Sequence, residues 1–448
     1  MERYEHEKGR FCSSSRSILE PIPLDLATLT RLPAKFLVNT HQQRKLFCRV
    51  ESRVRLGAVR DRKEDVESDK SPYKLDLLPL DIEVETLIRL PGKSLMNFQC
   101  VSKIWSSIIR SQSFVDSYYA MSSATGSRFI IAFTNSVPAE VDAQRLFIFS
   151  SSHEGEETSS LVANLDMTIP SVTLAHGSKC TSVHGFVGCC YGLQFTVCNP
   201  STGKVITFPC NGARTSLGYD PVDDQFKALT LVSSPEQYHS FLVHEVITVG
   251  GGGVVSRSEI TSSPYYPITK GICIGGFVYY GAWAPILRTT PVFVCFDVRN
   301  ERLSFITTPK DVLVWECDTV LIEYKGKLAA IVRYPFAPFH RFDLWILEDV
   351  KKHDWSKQTF ELPFSPGMGR DMTSQGTNKA GEIIFSPTTL PYHVEPFYIF
   401  YYNPDRKDMR RVRIHGIADT EEFRRRYALT HFCCVSVSPQ HVESVAAL

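Results

Sequence analysis

Gly276-Phe277-Val278-Tyr279-Tyr280 and, after a gap, Val292-Phe293-Val294-Cys295-Phe296-Asp297 decide the fold of most of this 448-residue chain. Both runs are short, dense in β-branched and aromatic residues, and bounded by turn formers, the composition of paired strands. The same text is a glycine, an apolar run, a gap and a second run ending on Asn or Asp. It returns at Gly326-Lys327-Leu328-Ala329-Ala330-Ile331 with Leu344-Trp345-Ile346-Leu347-Glu348-Asp349. It returns again at Gly381-Glu382-Ile383-Ile384-Phe385 with Tyr398-Ile399-Phe400-Tyr401-Tyr402-Asn403, and more faintly from Gly185 to Asn199-Pro200. Units of about 40 to 50 residues with several strands each mark a β-propeller, where each sheet buries its faces only against its neighbours. A β-sandwich of two large sheets is the alternative, because the repeat lies in pattern and hardly in identity. From residue 120 onward the chain is expected to be all-β.

Upstream the period changes. In Leu78-Pro79-Leu80-Asp81-Ile82-Glu83-Val84-Glu85-Thr86-Leu87-Ile88-Arg89-Leu90-Pro91, residues Leu80, Val84, Leu87 and Ile88 recur at helical spacing, with Ile82 pointing off that stripe. Pro91 removes a backbone donor and pushes Leu90 out of helical geometry, so the first helix ends there. After a turn, Val101, Ile104, Trp105, Ile108 and Ile109 form the clearest helical stripe in the chain. Three helices in about 40 residues are near the lower limit for folding alone and call for something to pack on.

Leu-Pro-x-Asp from Leu78, Arg-Leu-Pro at 89–91, Lys-Ser-Leu at 93–95, Cys-Val-Ser-Lys at 100–103 and Trp105, in that order, resemble the F-box. This is the segment by which substrate receptors attach to a Skp-type adaptor in cullin ubiquitin ligases. The resemblance implies that Leu78, Pro79, Ile82, Leu90, Pro91, Leu95 and Val101 meet the adaptor and that Trp105 locks the third helix. Thr86 departs from the pattern, which has an aliphatic residue there; a buried hydroxyl without a partner would cost on the order of 1 to 3 kcal/mol. A second resemblance follows downstream. Cys198-Asn199-Pro200-Ser201-Thr202-Gly203-Lys204-Val205, Leu217-Gly218-Tyr219-Asp220-Pro221-Val222-Asp223-Asp224-Gln225-Phe226-Lys227 and Leu344 to Asp349 with Lys352-His353-Asp354-Trp355-Ser356 are similar to the plant F-box associated domain, type 3. The expected fold is α+β and multidomain, a small three-helix F-box followed by a large all-β domain.

Composition bounds the function. With 49 basic and 48 acidic residues there is no global field to draw nucleic acid or an anionic membrane. No apolar run is long enough to span a bilayer, and Met1-Glu2-Arg3-Tyr4-Glu5-His6 does not open a secretory signal, so an intracellular protein, cytoplasmic or nuclear, is expected. Thirteen irregularly placed cysteines suit reduced thiols.

Ile22-Pro23-Leu24-Asp25-Leu26 and Leu29 to Asn39 repeat the F-box text, but two residues are missing between Asp25 and Pro33, which rotates the later apolar stripe by roughly 200°. This reads as a decayed duplicate. The mixed-charge run 61–70 reads as a solvated linker. The expected organisation is residues 1–71 degenerate copy and linker, 72–119 F-box, 120–425 β domain, and 426–448 a C-terminal tail.

Catalytic chemistry finds no support in the motifs. Gly250 to Gly253 lacks the Lys-Ser or Lys-Thr of a phosphate loop and reads as a hairpin tip; His239 and His244 have no partner ligand at metal spacing; Asp220 to Asp224 reads as a turn. No cofactor and no metal are expected. The resulting function is a non-catalytic substrate receptor, adaptor and cullin on one side and an unidentified protein substrate on the other. A binding scaffold outside any ligase, its F-box weakened at Thr86, is the alternative, and a propeller enzyme is a third reading. Candidate substrate contacts are Trp283, Trp315, Phe339, His340 and Arg341, large side chains next to expected strand ends; Trp345, inside a strand, is assigned to the core.

Overall fold

The computed structural model describes residues 80–447 except 127, 136–143, 153–158, 175–178, 213, 233–240, 285–289, 314–317, 334–340, 364–371 and 430–432. Four helices lead: α1 (Leu80–Ile88), α2 (Gly92–Gln99), α3 (Lys103–Arg110) and α4 (Gln112–Thr125). Pro91 ends α1 as expected and stands at the N-cap of α2. Ser102 caps α3, its hydroxyl accepting from the Ile104 amide at 3.2 Å. The boundary expected at residue 120 falls inside α4. That helix is held to Thr125 by the burial of Phe114 and Tyr118, and the first strand starts only at Arg128.

The strands form six antiparallel blades around an axis, a six-bladed β-propeller. Blade 2 is β5 (Thr181–Val183), β6 (Phe186–Tyr191), β7 (Gln194–Asn199) and β8 (Lys204–Pro209). Blade 3 is β9 (Thr215–Asp220), β10 (Gln225–Leu231), β11 (Leu242–Gly250) and β12 (Gly253–Ser262). Blade 4 is β13 (Tyr266–Pro267) and β14 (Ile272–Ile274) inside, then β15 (Phe277–Ala284), β16 (Thr290–Asp297) and β17 (Arg302–Thr307). Blade 5 is β18 (Asp318–Tyr324), β19 (Lys327–Arg333), β20 (Arg341–Asp349) and β21 (Asp354–Glu361), and blade 6 is β22 (Met372–Thr377), β23 (Ile383–Pro387), β24 (Phe397–Asn403) and β25 (Asp408–His415).

Blade 1 closes the ring. Its outer strands β1 (Arg128–Thr134), β2 (Arg145–Ser152) and β4 (Asn164–Pro170) come from the start of the domain, while its inner strand β26 (Val435–His441) comes from the end. β26 pairs antiparallel with β1, Ile131 opposite Val437. Residues 426–448 are therefore not a tail. A strand withheld from the first blade leaves β1 with an unpaired inner edge, and the chain's end fills it. A second stitch crosses the same seam, because β3 (Ser160–Val162) leaves blade 1 to pair in parallel with β25 on the outer edge of blade 6. The inner strands touch in order from β26 to β5, β9, β14, β18 and β22 and back to β26.

Each of six buried clusters joins two neighbouring blades. Phe342 and Phe360 of blade 5 pack with Phe385 and Tyr402 of blade 6, and Phe186 of blade 2 packs edge-on against Phe226 of blade 3 at 4.7 Å. Trp345 is 9% exposed and lies in the cluster of blades 4 and 5, where the strand pattern put it. The glycines that opened each sequence unit sit at the turn between a blade's first and second strands with positive φ, +84° at Gly185, +89° at Gly276, +78° at Gly326 and +81° at Gly381.

The Asn or Asp that closed each unit has an equally local job. Its side chain accepts backbone amides two and three residues on, at Asn199, Asp349 and Asn403, and the residue four positions on is left-handed, at Gly203, His353 and Lys407. Gly250 to Gly253 is a hairpin tip. His244 is a buried strand residue bonded to the Tyr265 hydroxyl at 2.6 Å, and Asp220 to Asp224 forms the β9–β10 turn.

Candidate functional site

The helical segment divides its apolar residues between inside and outside. Leu87, Leu95 and Ile109 are fully buried, Trp105 is 2% exposed, and the Phe98 ring meets the Trp105 indole edge-on at 5.1 Å. Leu90 and Leu95, expected at the adaptor surface, are interior. Helices of eight or nine residues carry few apolar side chains, and these two go into the bundle's own core. Ile82 and Pro91 are exposed as expected, and Val101 is half-buried. Leu80 and Ile104, counted in sequence as core stripe, are 57% and 56% exposed. Leu78, Pro79 and the duplicate copy fall outside the described residues. The Thr86 hydroxyl donates to the Ile82 carbonyl at 2.7 Å, so the departure from the family pattern leaves no unsatisfied group.

The bundle is mounted on one face of the propeller. The β9–β10 turn receives α4 through Gln112, whose Nε2 donates to Asp224 at 2.7 Å, while the Tyr219 hydroxyl donates to the other Asp224 oxygen at 2.7 Å. Tyr119 lies 3.7 Å from the His184 ring, which in turn stacks on Tyr219 at 3.8 Å. Burial between the two tyrosines pushes the imidazole down to about 4, against the pull of Asp224 and Asp116, so His184 is neutral at pH 7.

Tyr118 donates to Glu443 at 3.1 Å just beyond β26, and burial together with that carboxylate raises the phenol. Glu443 also pairs with Arg128 at 2.8 Å. Lys93 pairs with Asp166 at 2.6 Å, and a Cβ on Gly92 would come within 2.9 Å of Ser201, so α2 lies directly on the β7–β8 turn. Every one of these contacts is made at the ends of strands on a single side.

Of the candidate substrate residues, the two that are described fall on the other side. Trp283 is the last residue but one of β15 and Arg341 begins β20, both on the face remote from the helices. Trp283 is half-buried, with its indole N–H buried and unbonded among the described residues, and Arg341 is exposed. Trp315, Phe339 and His340 lie outside the described residues, Trp315 between β17 and β18 and the other two between β19 and β20. Among the described residues no three His, Cys, Asp or Glu side chains converge as for a metal ion, and no helix is long and apolar enough to cross a membrane.

Exposed aliphatic side chains on a capped helical unit and a mount confined to one side of a six-bladed propeller are the features that the comparisons with known proteins meet. Residues 75–117 match the F-box domain family, and residues 128–442 match the F-box associated beta propeller domain family. The chain belongs to the F-box proteins that carry an F-box associated β-propeller. It is 51% identical over 398 residues to F-box protein At1g30790 of Arabidopsis thaliana, covering 84% of this chain and 99% of that one. It is 43% identical over 456 residues to the putative F-box protein At1g32660 (99% and 97%) and 34% identical over 364 residues to F-box protein DOR (76% and 88%), both also of Arabidopsis thaliana.

Proposed function

We propose that this chain is the substrate-recognition subunit of a Skp-cullin-F-box type ubiquitin ligase. Its F-box holds the adaptor, and through it the cullin, while the propeller holds a protein substrate. It supplies no catalytic residue of its own and works inside the cell, in cytoplasm or nucleus. The observation that carries the reading is the division of the F-box: Leu80, Ile82 and Ile104 stand at about half exposure on a unit whose own core is already filled. Large aliphatic side chains left out in this way mark a partner surface. The mount uses strand ends on one side of the propeller, and this reading assigns the substrate to the other. The scaffold alternative rested on Thr86, whose hydroxyl is satisfied, so no observation favours it.

The test is co-purification of the full chain with adaptor and cullin, comparing the native protein with Ile82→Asp/Ile104→Asp. A charge in a desolvated interface centre should lower adaptor affinity at least a hundredfold, on the order of 3 kcal/mol, with unchanged melting because both positions are solvated in the free chain. Adaptor capture equal to the native protein's would refute the assignment.

A further inference from the structure

Lys179, Arg214 and Lys270 sit where the chain enters three successive inner strands, just ahead of β5, β9 and β14. These are the strand ends remote from the F-box. The three residues line one cavity together with Thr181, Thr215 and Gly271, and no Asp or Glu is among the described residues that line it. Lys179 donates one of its three N–H groups to the Ser374 carbonyl at 2.7 Å, a bond that ties the approach to blade 2 to blade 6. Arg214 and Lys270 find no carboxylate among the described residues.

Such an arrangement is costly without a counter-charge. Burial pushes the Lys179 amine down to about 8, and burial followed by the nearby Arg214 guanidinium lowers Lys270 as well. An anion in the cavity would relieve both. Size then selects among anions: the cavity is about 60 Å³ on the measure in which one water needs roughly 10 to 15 Å³, so it has room for a group of a few heavy atoms. Arg214 and Lys270, close enough for the guanidinium to lower the amine, bring many donors together and match a tetrahedral dianion better than a planar monoanion.

We propose that this cavity, on the face remote from the F-box, binds one phosphoryl group, either as the free anion or at the end of a protein side chain. The second source would deepen the receptor reading, on which it rests, by making the substrate a phosphorylated protein. The cavity chemistry stands without that reading.

The experiment uses the purified full chain, native and Arg214→Gln/Lys270→Gln, with inorganic phosphate followed by ³¹P line broadening at constant ionic strength. Because neither side chain makes a bond that holds the blades among the described residues, melting should not change, and phosphate affinity should fall at least tenfold in the variant. Equal binding by both proteins, or displacement of phosphate by equimolar acetate or chloride, overturns the proposal. A phosphoserine tetrapeptide is then added as competitor beside its unphosphorylated twin. Competition by the phosphorylated form alone assigns the group to a protein side chain, and competition by neither assigns it to the free anion. Failure of the receptor reading shows separately, as a native chain that binds phosphate but captures no adaptor.

Discussion

The two faces of the propeller are built from the ends of the same strands, yet they obey different rules. On the side that carries the F-box the turns of blades 2, 4, 5 and 6 are short and nearly identical, a left-handed glycine after the first strand and an Asn or Asp that caps its own turn after the third. On the other side the connections vary, from Leu231 to Leu242 in blade 3, Ala284 to Thr290 in blade 4 and Arg333 to Arg341 in blade 5. Turns fixed by backbone chemistry make a surface that can hold another rigid body in one orientation. Connections free of those rules can differ in length and side chain without disturbing the blades, which is where recognition is placed on a scaffold. The mount belongs to the first face and the cationic cavity to the second.

The harshest way to break this contrast is to remove β26, which closes the ring and then delivers Glu443 and Ser444 to the F-box side. Truncation after Leu429 strips β1 of its inner partner and removes the buried Val435, Val437 and His441. The expected result is complete loss of a cooperative thermal transition by circular dichroism. A truncated chain that still melts cooperatively would show that the ring does not depend on its seam.

A smaller effect separates turn chemistry from mounting. Gly185 and Gly326 occupy the same turn of blades 2 and 5 with nearly the same φ, so alanine strains the backbone at both by roughly 1 kcal/mol. Only at Gly185 does a Cβ collide, 2.3 Å from the Ser444 Cβ and 3.2 Å from the Val442 carbonyl, whereas at Gly326 it meets open space. Gly185→Ala should therefore cost about 3 kcal/mol and Gly326→Ala about 1, read from denaturant midpoints. Equal costs would mean that the C-terminal segment yields, and that the F-box side is no more constrained than its counterpart.

Those same glycines explain how much could be read in the chain. Gly185, Gly276, Gly326 and Gly381 each open a unit because each supplies a positive φ, and the closing Asn or Asp caps a turn, so four blades were written in local chemistry. Blade 3 was hidden because its first turn, Asp220 to Asp224, gets its left-handed residue from Asp224 at φ +50°. Blade 1 was hidden because its inner strand lies at the far end of the chain, beyond any local pattern. The F-box was legible as spaced residues, but helical periodicity alone did not tell Leu80 and Ile104, which are exposed, from Leu87 and Ile109, which are buried. The mount had no signature at all, since Tyr119, His184 and Tyr219 meet only in three dimensions, and Lys179, Arg214 and Lys270 are likewise scattered over three blades.

Acidification should loosen the mount before it unfolds the blades. His184 is held neutral with its pKa down at about 4, while in the unfolded chain it protonates near its ordinary value of roughly 6.5. The unfolded form thus binds the extra proton first, and stability is lost as pH falls from about 6.5 towards 4. Linkage gives close to 2 kcal/mol at pH 5, which partial solvent access of the ring and the neighbouring Asp224 and Asp116 reduce to about 1. Hydrogen exchange of the α4 amides should speed up several-fold between pH 7 and 5, after correction for the intrinsic rate, and this acceleration should vanish in His184→Asn, a residue at ease at φ +45°. An unchanged acceleration in that variant would place the titrating group elsewhere.

The smallest expected effect concerns Gln112, whose side chain bonds α4 directly to the β9–β10 turn. Its amide reaches Asp224 at 2.7 Å, but the contact is exposed, so water replaces it readily when it is cut. Asp224 also keeps the Tyr219 hydroxyl, and Tyr119 keeps its stack on His184. Gln112→Ala should cost about 0.5 kcal/mol or less and leave adaptor capture untouched. In a double-mutant cycle with Asp224→Asn, the coupling should be of that same size. A coupling above about 1.5 kcal/mol would mean that one polar bond, rather than the ring stack and the close approach at Gly92, sets the F-box in place. The uniform turns would then be a consequence of blade geometry alone, with no part in holding the helices.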